Sequence, residues 1–97
     1  MATYISLINW TEKGVAGFKD TIDRAEAGKA LAGTFGGALK DIYWTLGPYD
    51  IVVVSEAPDD ESATAFALTL ASQGNVRTTT MRAFDADEMR GIVAKAG

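Results

Sequence analysis

Two runs of strand-forming residues, Leu39 to Leu46 and Ile51 to Glu56, are separated only by Gly47-Pro48-Tyr49-Asp50. A connection that short allows one outcome. The two runs must lie side by side as an antiparallel pair, because parallel neighbours need a crossover of about a dozen residues or more. The tetrapeptide has the chemistry of a turn. Proline presets the backbone angle of a turn's second position, and aspartate accepts nearby backbone N–H groups. A β-hairpin therefore sits at the centre of the chain, and everything else must be arranged around it.

The flanking segments repeat a pattern. Thr3 to Asn9 is β-branched and aromatic and reads as a strand. Thr11 then suits a helix N-cap, with Glu12 in the first turn. Val15, Phe18, Ile22 and Ala25 follow at helical spacing as the expected core stripe of a helix. That helix is predicted to run through Leu31 and end near Gly36-Gly37. Gly14, Gly17, Gly28 and Gly33 each weaken it, by up to about 1 kcal/mol relative to alanine, so one of them should mark a kink or a close contact. Beyond the hairpin, Asp59 is an N-cap with Asp60 and Glu61 behind it. Ala63, Phe66, Ala67 and Leu70 form the core stripe of a second helix, which Gly74 stops. Val76 to Phe84 is a fourth strand. Asp85 and Glu88 have capping-box spacing ahead of a short helix bearing Met89, Ile92, Val93 and Ala96. The order βαββαβ over residues 1–97 predicts one α+β domain. It is ferredoxin-like, with an antiparallel sheet in strand order 4-1-3-2, both main helices on one face and a short C-terminal helix.

Such a sheet leaves its other face uncovered, and an uncovered face in water should be polar at alternate residues. This one is not. Tyr4, Ser6 and Ile8 alternate with Ile5, Leu7 and Asn9, and Ile51 and Val53 alternate with Val52 and Val54, so both faces of the central strands are apolar. A contiguous exposed apolar patch marks an interaction site. A second copy of the same sheet is the economical cover. The outer strands carry no proline, and Thr78-Thr79-Thr80 is uncharged, so strand edges offer a second route to assembly. A homo-oligomer is expected.

Composition narrows the chemistry. The chain has neither cysteine nor histidine. Ser-His-Asp and Cys-His nucleophiles, thiolate–imidazole zinc sites and His- or Cys-ligated haem are therefore excluded. The formal net charge is −4, with nine basic residues dispersed along the chain, which argues against nucleic acid and anionic membranes as partners. No apolar run approaches the length of a membrane span. The lack of cysteine, and of a basic segment followed by an apolar one at the N-terminus, leads to the expectation of a cytoplasmic protein. Asp59-Asp60-Glu61 lacks the spaced oxygen ligands of a calcium loop and reads as a helix start. No nucleotide-binding glycine pattern occurs. Neither metal nor cofactor is expected.

Four linked stretches resemble the GYD-domain family: Tyr43-Trp44-Thr45-Leu46-Gly47-Pro48-Tyr49-Asp50, Glu56-Ala57-Pro58-Asp59-Asp60-Glu61, Gly74-Asn75-Val76-Arg77-Thr78 and Met81-Arg82-Ala83-Phe84. The Gly-Tyr-Asp motif stands here with Pro48 inserted after Gly47. The resemblance covers roughly residues 3 to 84. It implies a ferredoxin-like domain of the dimeric α/β-barrel type and no established activity.

The candidate ligand-binding residues fall into three groups. Tyr49 and Asp50 either present a phenol and a carboxylate at a cleft mouth or simply fix the turn. Trp10, Tyr43 and Trp44 either line an aromatic pocket or pack in the core or an interface, and Asn9 with Trp10 is a candidate pair for positioning a substrate. Arg77 and Arg82 differ by an odd number and so point to opposite faces, one of them onto the open face. Three functions compete. The first is an oligomeric small-molecule-binding or regulatory protein, taking an apolar or aromatic ligand between the open face and a partner subunit. The second is a cofactor-independent monooxygenase or isomerase, which needs these side chains to converge in one enclosed pocket. The third is an interaction module without a ligand.

Overall fold

The computed structural model describes all of residues 1–97. The strands are β1 (Ala2–Trp10), β2 (Ala38–Trp44), β3 (Ile51–Ala57) and β4 (Val76–Ala83). The helices are α1 (Glu12–Ala16), α2 (Thr21–Thr34), α3 (Asp60–Ser72) and α4 (Ala86–Lys95), with a 3-10 turn at Phe18–Asp20. The four strands form one sheet in the order β2-β3-β1-β4, with every neighbouring pair antiparallel. This is the ferredoxin-like arrangement expected from the sequence. The register pairs Ile8 with Ile51 and Thr78, and Ile5 with Val54 and Met81.

The first helical segment differs from expectation. One helix was predicted from Thr11 to Gly36, and the chain breaks it in two. Thr11 does cap α1, accepting from the Gly14 N–H. The helix ends at Gly17, and a 3-10 turn leads into α2. Arg24 stabilises the break by donating from Nη2 to the Gly14 and Gly17 carbonyls. Gly14 is the close contact: α1 lies against Asn75, whose carbonyl accepts from the Thr11 N–H at 3.1 Å.

The break also moves the core stripe. Val15, Phe18 and Ile22 are half exposed, not core residues. Gly28 and Ala32 are the buried positions of α2. Gly28 lies against Leu39, so small residues let this helix sit close to the sheet. The second helix follows expectation more closely, with Ala63, Phe66, Ala67 and Leu70 half buried over the sheet and Phe66 edge-on to Phe35 at 6.3 Å.

The central hairpin is looser than a four-residue turn. β2 stops at Trp44 rather than Leu46, and Leu46 is fully exposed. Residues 45–50 form a loop closed by the Thr45 N–H donating to the Asp50 carbonyl at 2.8 Å. Gly47 has φ of +136°, a conformation open to glycine and costly for other residues.

Ile8, Ile51 and Val53 form the core cluster, with Trp10, Leu39, Ile42 and Val76 packed against it. Two voids of about 40 and 70 Å³ remain between helices and sheet. Both are far below the roughly 300 Å³ of a small-molecule pocket. A ligand of metabolite size therefore has no room in the interior.

Candidate functional site: the open sheet face

The register decides which side chains meet the helices. Tyr4, Ser6 and Ile8 of β1 lie level with Ser55, Val53 and Ile51 of β3, and with Arg82, Thr80 and Thr78 of β4. The buried members of this set, Tyr4, Ile8, Ile51 and Val53, place it under the helices. The alternate residues form the open face. Across it, one row runs Met81, Ile5, Val54, Asp41 and the next runs Thr79, Leu7, Val52, Tyr43. Ile5, Leu7, Val52 and Val54 thus make an apolar centre on the two middle strands. Met81 and Tyr43 flank it, 43% and 60% exposed, far more than residues of that size in a finished core. Asn9 and Arg77, paired across β1 and β4, bound this face at the hairpin end.

The sequence-derived candidates divide between two faces and two ends of the sheet. Tyr43 and Asn9 belong to the open face, as does Arg77 by register, and from its place on the edge strand Arg77 also lines the cleft between α3 and β4. Trp10, Trp44 and Arg82 belong to the helix side, which settles the arginine parity. Trp10 packs against the core, and the Trp44 Nε1 donates to the Thr21 hydroxyl at 2.9 Å.

Asp50 and Asn9 are engaged in the loop. The Asp50 carboxylate accepts from the Trp10 N–H at 2.9 Å, and the Asp50 N–H donates to the Ile8 carbonyl. Asn9 Nδ2 donates to the Pro48 carbonyl at 2.8 Å. Tyr49 contributes its carbonyl, which accepts from the Thr45 hydroxyl at 2.6 Å. Asp50→Ala is expected to destabilise the fold by about 1–3 kcal/mol, because it leaves a part-buried N–H without its charged acceptor. Tyr49→Phe should change stability by less than about 0.5 kcal/mol. Urea denaturation of both variants measures this, and equal midpoints would refute the turn-anchor role of Asp50.

Arg82 lies five residues along the sheet from this group, about 17 Å away at strand spacing. It belongs to a cluster that sequence reasoning missed. The Tyr4 hydroxyl donates to Asp60 Oδ1 at 2.6 Å, and the Arg82 guanidinium stacks over the rings of Tyr4 at 5.8 Å and Phe84 at 4.5 Å. Arg82 also pairs with Glu88 at 3.4 Å and donates to the Ala83 carbonyl. The hydrogen bond to Asp60, reinforced by burial and by the Asp60 charge, pushes the Tyr4 phenol up to about 12, so it stays a protonated donor at neutral pH. The signal for this cluster was present in the strand alternation, which put Tyr4 on the Ser6–Ile8 face. Local pattern marks Asp60 only as a first-turn acid of α3. Beside the cluster, a cleft of about 780 Å³ opens between α3 and the edge strand β4.

Fold and face together define a ferredoxin-like domain whose sheet has one face that its own helices do not cover. The chain belongs to the GYD domain family, whose model matches residues 4–93. It is 37% identical over 84 residues to the glutamine synthetase and cystathionine beta-lyase binding protein of Thermus thermophilus, a match covering 86% of this chain and 88% of that one. Among solved structures it resembles TTHA0845, also from Thermus thermophilus, with a TM-score of 0.58, 25% identity and coverage of 89% of this chain and 96% of that one. It also resembles the feast or famine regulatory protein of M. tuberculosis complexed with L-methionine, with a TM-score of 0.67 at 13% identity. That match covers 89% of this chain but 52% of the other, so this chain spans about half of the regulatory protein's length. At that identity the likeness is one of fold.

Proposed function

We propose that this protein is an oligomeric binding or regulatory protein, and that its ligand site forms where the open sheet face meets a second copy. The carrying observation is the apolar centre Ile5, Leu7, Val52 and Val54, flanked by exposed Met81 and Tyr43. A patch of this kind in water needs a partner. Two apposed copies give a chamber rimmed by Tyr43, Asn9 and Arg77, suited to a small apolar or aromatic molecule whose anionic end pairs with a guanidinium. The relative named for binding two enzymes supports a regulatory role exercised on other proteins. The cofactor-free catalytic reading draws less support. It needs Tyr49 with Asp50, or Asn9 with Trp10, converging with Arg77 or Arg82 in one enclosed pocket, whereas Asp50 and Asn9 are engaged in the loop, Trp10 packs on the helix side away from Asn9, and Arg82 lies at the far end of the sheet.

A thermal-shift screen against apolar and aromatic carboxylates, run on the assembled protein, tests the ligand site. A ligand present at about 100 times its Kd stabilises by about 2.7 kcal/mol, a shift in Tm on the order of 10 °C for a domain of this size. The Arg77→Ala variant should lose that shift. A shift retained in Arg77→Ala would place the ligand elsewhere, and no shift with any carboxylate would leave the face as a plain interaction surface.

A further inference from the structure

The chain carries a second apolar surface that its own fold does not use. In α4, Met89, Ile92 and Val93 lie at helical spacing and are 47%, 37% and 57% exposed. Met89, Ile92, Val93 and Ala96 form one stripe. The helix is built with care: Asp85 and Glu88 form a complete capping box, with both reciprocal bonds present. Yet an isolated ten-residue helix is marginal in water and needs packing of its apolar face to persist. The helix also stands out from the body. The radius of gyration is 14.5 Å, with extents of 50 × 30 × 18 Å, against about 12.5 Å for a compact chain of this length.

A matching seat exists elsewhere on the molecule. The α3–β4 cleft has an apolar wall of Ala63, Ala67, Leu68 and Ala71, with Leu68 67% exposed. A ten-residue helix is about 15 Å long, and the wall from Ala63 to Ala71 rises about 12 Å, so lengths agree. The small alanines permit close approach. The cleft also runs along the free edge of β4, which lacks a neighbouring strand. An edge of this kind is normally covered or guarded.

Direction decides whose helix fills it. β4 ends at Ala83, one residue past Arg82, which lies beside Tyr4 and so near Asp60 at the start of α3. If α4 folded back into its own cleft, it would begin at that end and run parallel to α3. Its acidic first turn would then face Asp59, Asp60 and Glu61, and Lys95 would approach Arg77. Like charges would meet at both ends, with the helix dipoles parallel. The reverse direction matches at both ends. Asp85 and Asp87 would approach Arg77, the positive N-terminal end of α4 would lie beside the negative C-terminal end of α3, and Lys95 would approach the acidic first turn of α3. A helix from another molecule can enter that way.

We infer that α4 is an exchanged arm, and that its Met89–Ile92–Val93 stripe seats in the α3–β4 cleft of a second copy of this chain, antiparallel to α3. Reciprocal exchange within a pair closes the assembly. This inference stands whether or not the open sheet faces also pair.

The absence of cysteine makes the test clean. Leu68→Cys and Val93→Cys are made separately, refolded together and oxidised, and the double variant is oxidised alone. Circular dichroism confirms that each variant folds. The expected result is a two-chain disulfide species that dominates the mixture, is absent from Leu68→Cys alone, and also dominates the double variant. An intrachain disulfide in the double variant would overturn the inference, showing α4 on its own cleft. Val93→Cys joining to itself would overturn it by pairing α4 with α4. Folded variants with no cross-link would overturn it in favour of an unrelated partner. Repeating the mixture in a Leu7→Lys background separates the two surfaces, since the cross-link should persist when sheet pairing is lost.

Discussion

Leu7→Lys is expected to abolish pairing through the open sheet face while leaving secondary structure intact. Leu7 sits at the centre of that face, level with Val52 on one side and Thr79 on the other. In a single chain its side chain is half-buried among its neighbours on that face, and a lysine's long stem can still carry its charge to water, so the change costs the fold about 1 kcal/mol. Between two apposed sheets the same ammonium would be trapped among Ile5, Val52 and Val54 with no carboxylate level with it in its own row. Burying an unpaired charge costs several kcal/mol, and a loss of about 3 kcal/mol weakens association more than 100-fold. Sedimentation velocity over a concentration series reads this directly, with circular dichroism as the control for folding. An unchanged association constant would refute the sheet face as an interface. Thr79→Lys, at the edge of the same row, should weaken association less, because a rim charge can reach water.

Gly14→Ala is expected to be the most damaging single methyl in the chain, costing about 3 kcal/mol. A Cβ at that position would lie inside the envelope of the Asn75 carbonyl oxygen, well under the 3.0 Å that real Cβ atoms keep. The neighbour is backbone and is held on several sides. Asn75 accepts from the Thr11 N–H, Thr11 Oγ1 donates to the Gly74 carbonyl at 2.5 Å, and Lys13 Nζ donates to the Gln73 carbonyl at 2.9 Å. The α1 segment therefore cannot retreat without breaking its link to the start of β4. Gly33→Ala provides the contrast. Nothing lies within 4 Å of its added methyl. In the last turn of α2 the change should stabilise by about 0.5 kcal/mol. Thermal unfolding of the two variants should move Tm in opposite directions, downward by more than about 10 °C for Gly14→Ala. Equal shifts would refute the contact.

Much of this architecture is legible in the sequence. Strand identity follows from β-branched runs, and the sheet order follows from the βαββαβ order. The Thr11, Asp59 and Asp85 caps all form as the sequence suggests. The doubly apolar strands exposed the central problem of the open face. The misses share a cause. Periodicity arguments weigh large side chains, so they chose Val15, Phe18 and Ile22 for the core, whereas α2 packs through Gly28 and Ala32. A kink at one of the glycines was expected, but its place at Gly17 is set by Arg24 reaching back to the Gly14 and Gly17 carbonyls, a side-chain bond that apolar periodicity does not register. The hairpin motif was read as a tight turn, but Asp50 works by capping the Trp10 N–H on another strand. Tyr4 and Asp60 are 56 residues apart in sequence and meet only through the fold.

Only eight of the 97 residues are buried, and two of those are glycines. A chain with so shallow an interior holds little folding free energy of its own. If copies associate as proposed, association and folding are one equilibrium, and the midpoint of unfolding rises with protein concentration. Unassembled chains then spend more time open and fall to proteases first. The cell would keep a pool of assembled molecules and clear the surplus, so abundance would follow the supply of partners as well as the rate of synthesis.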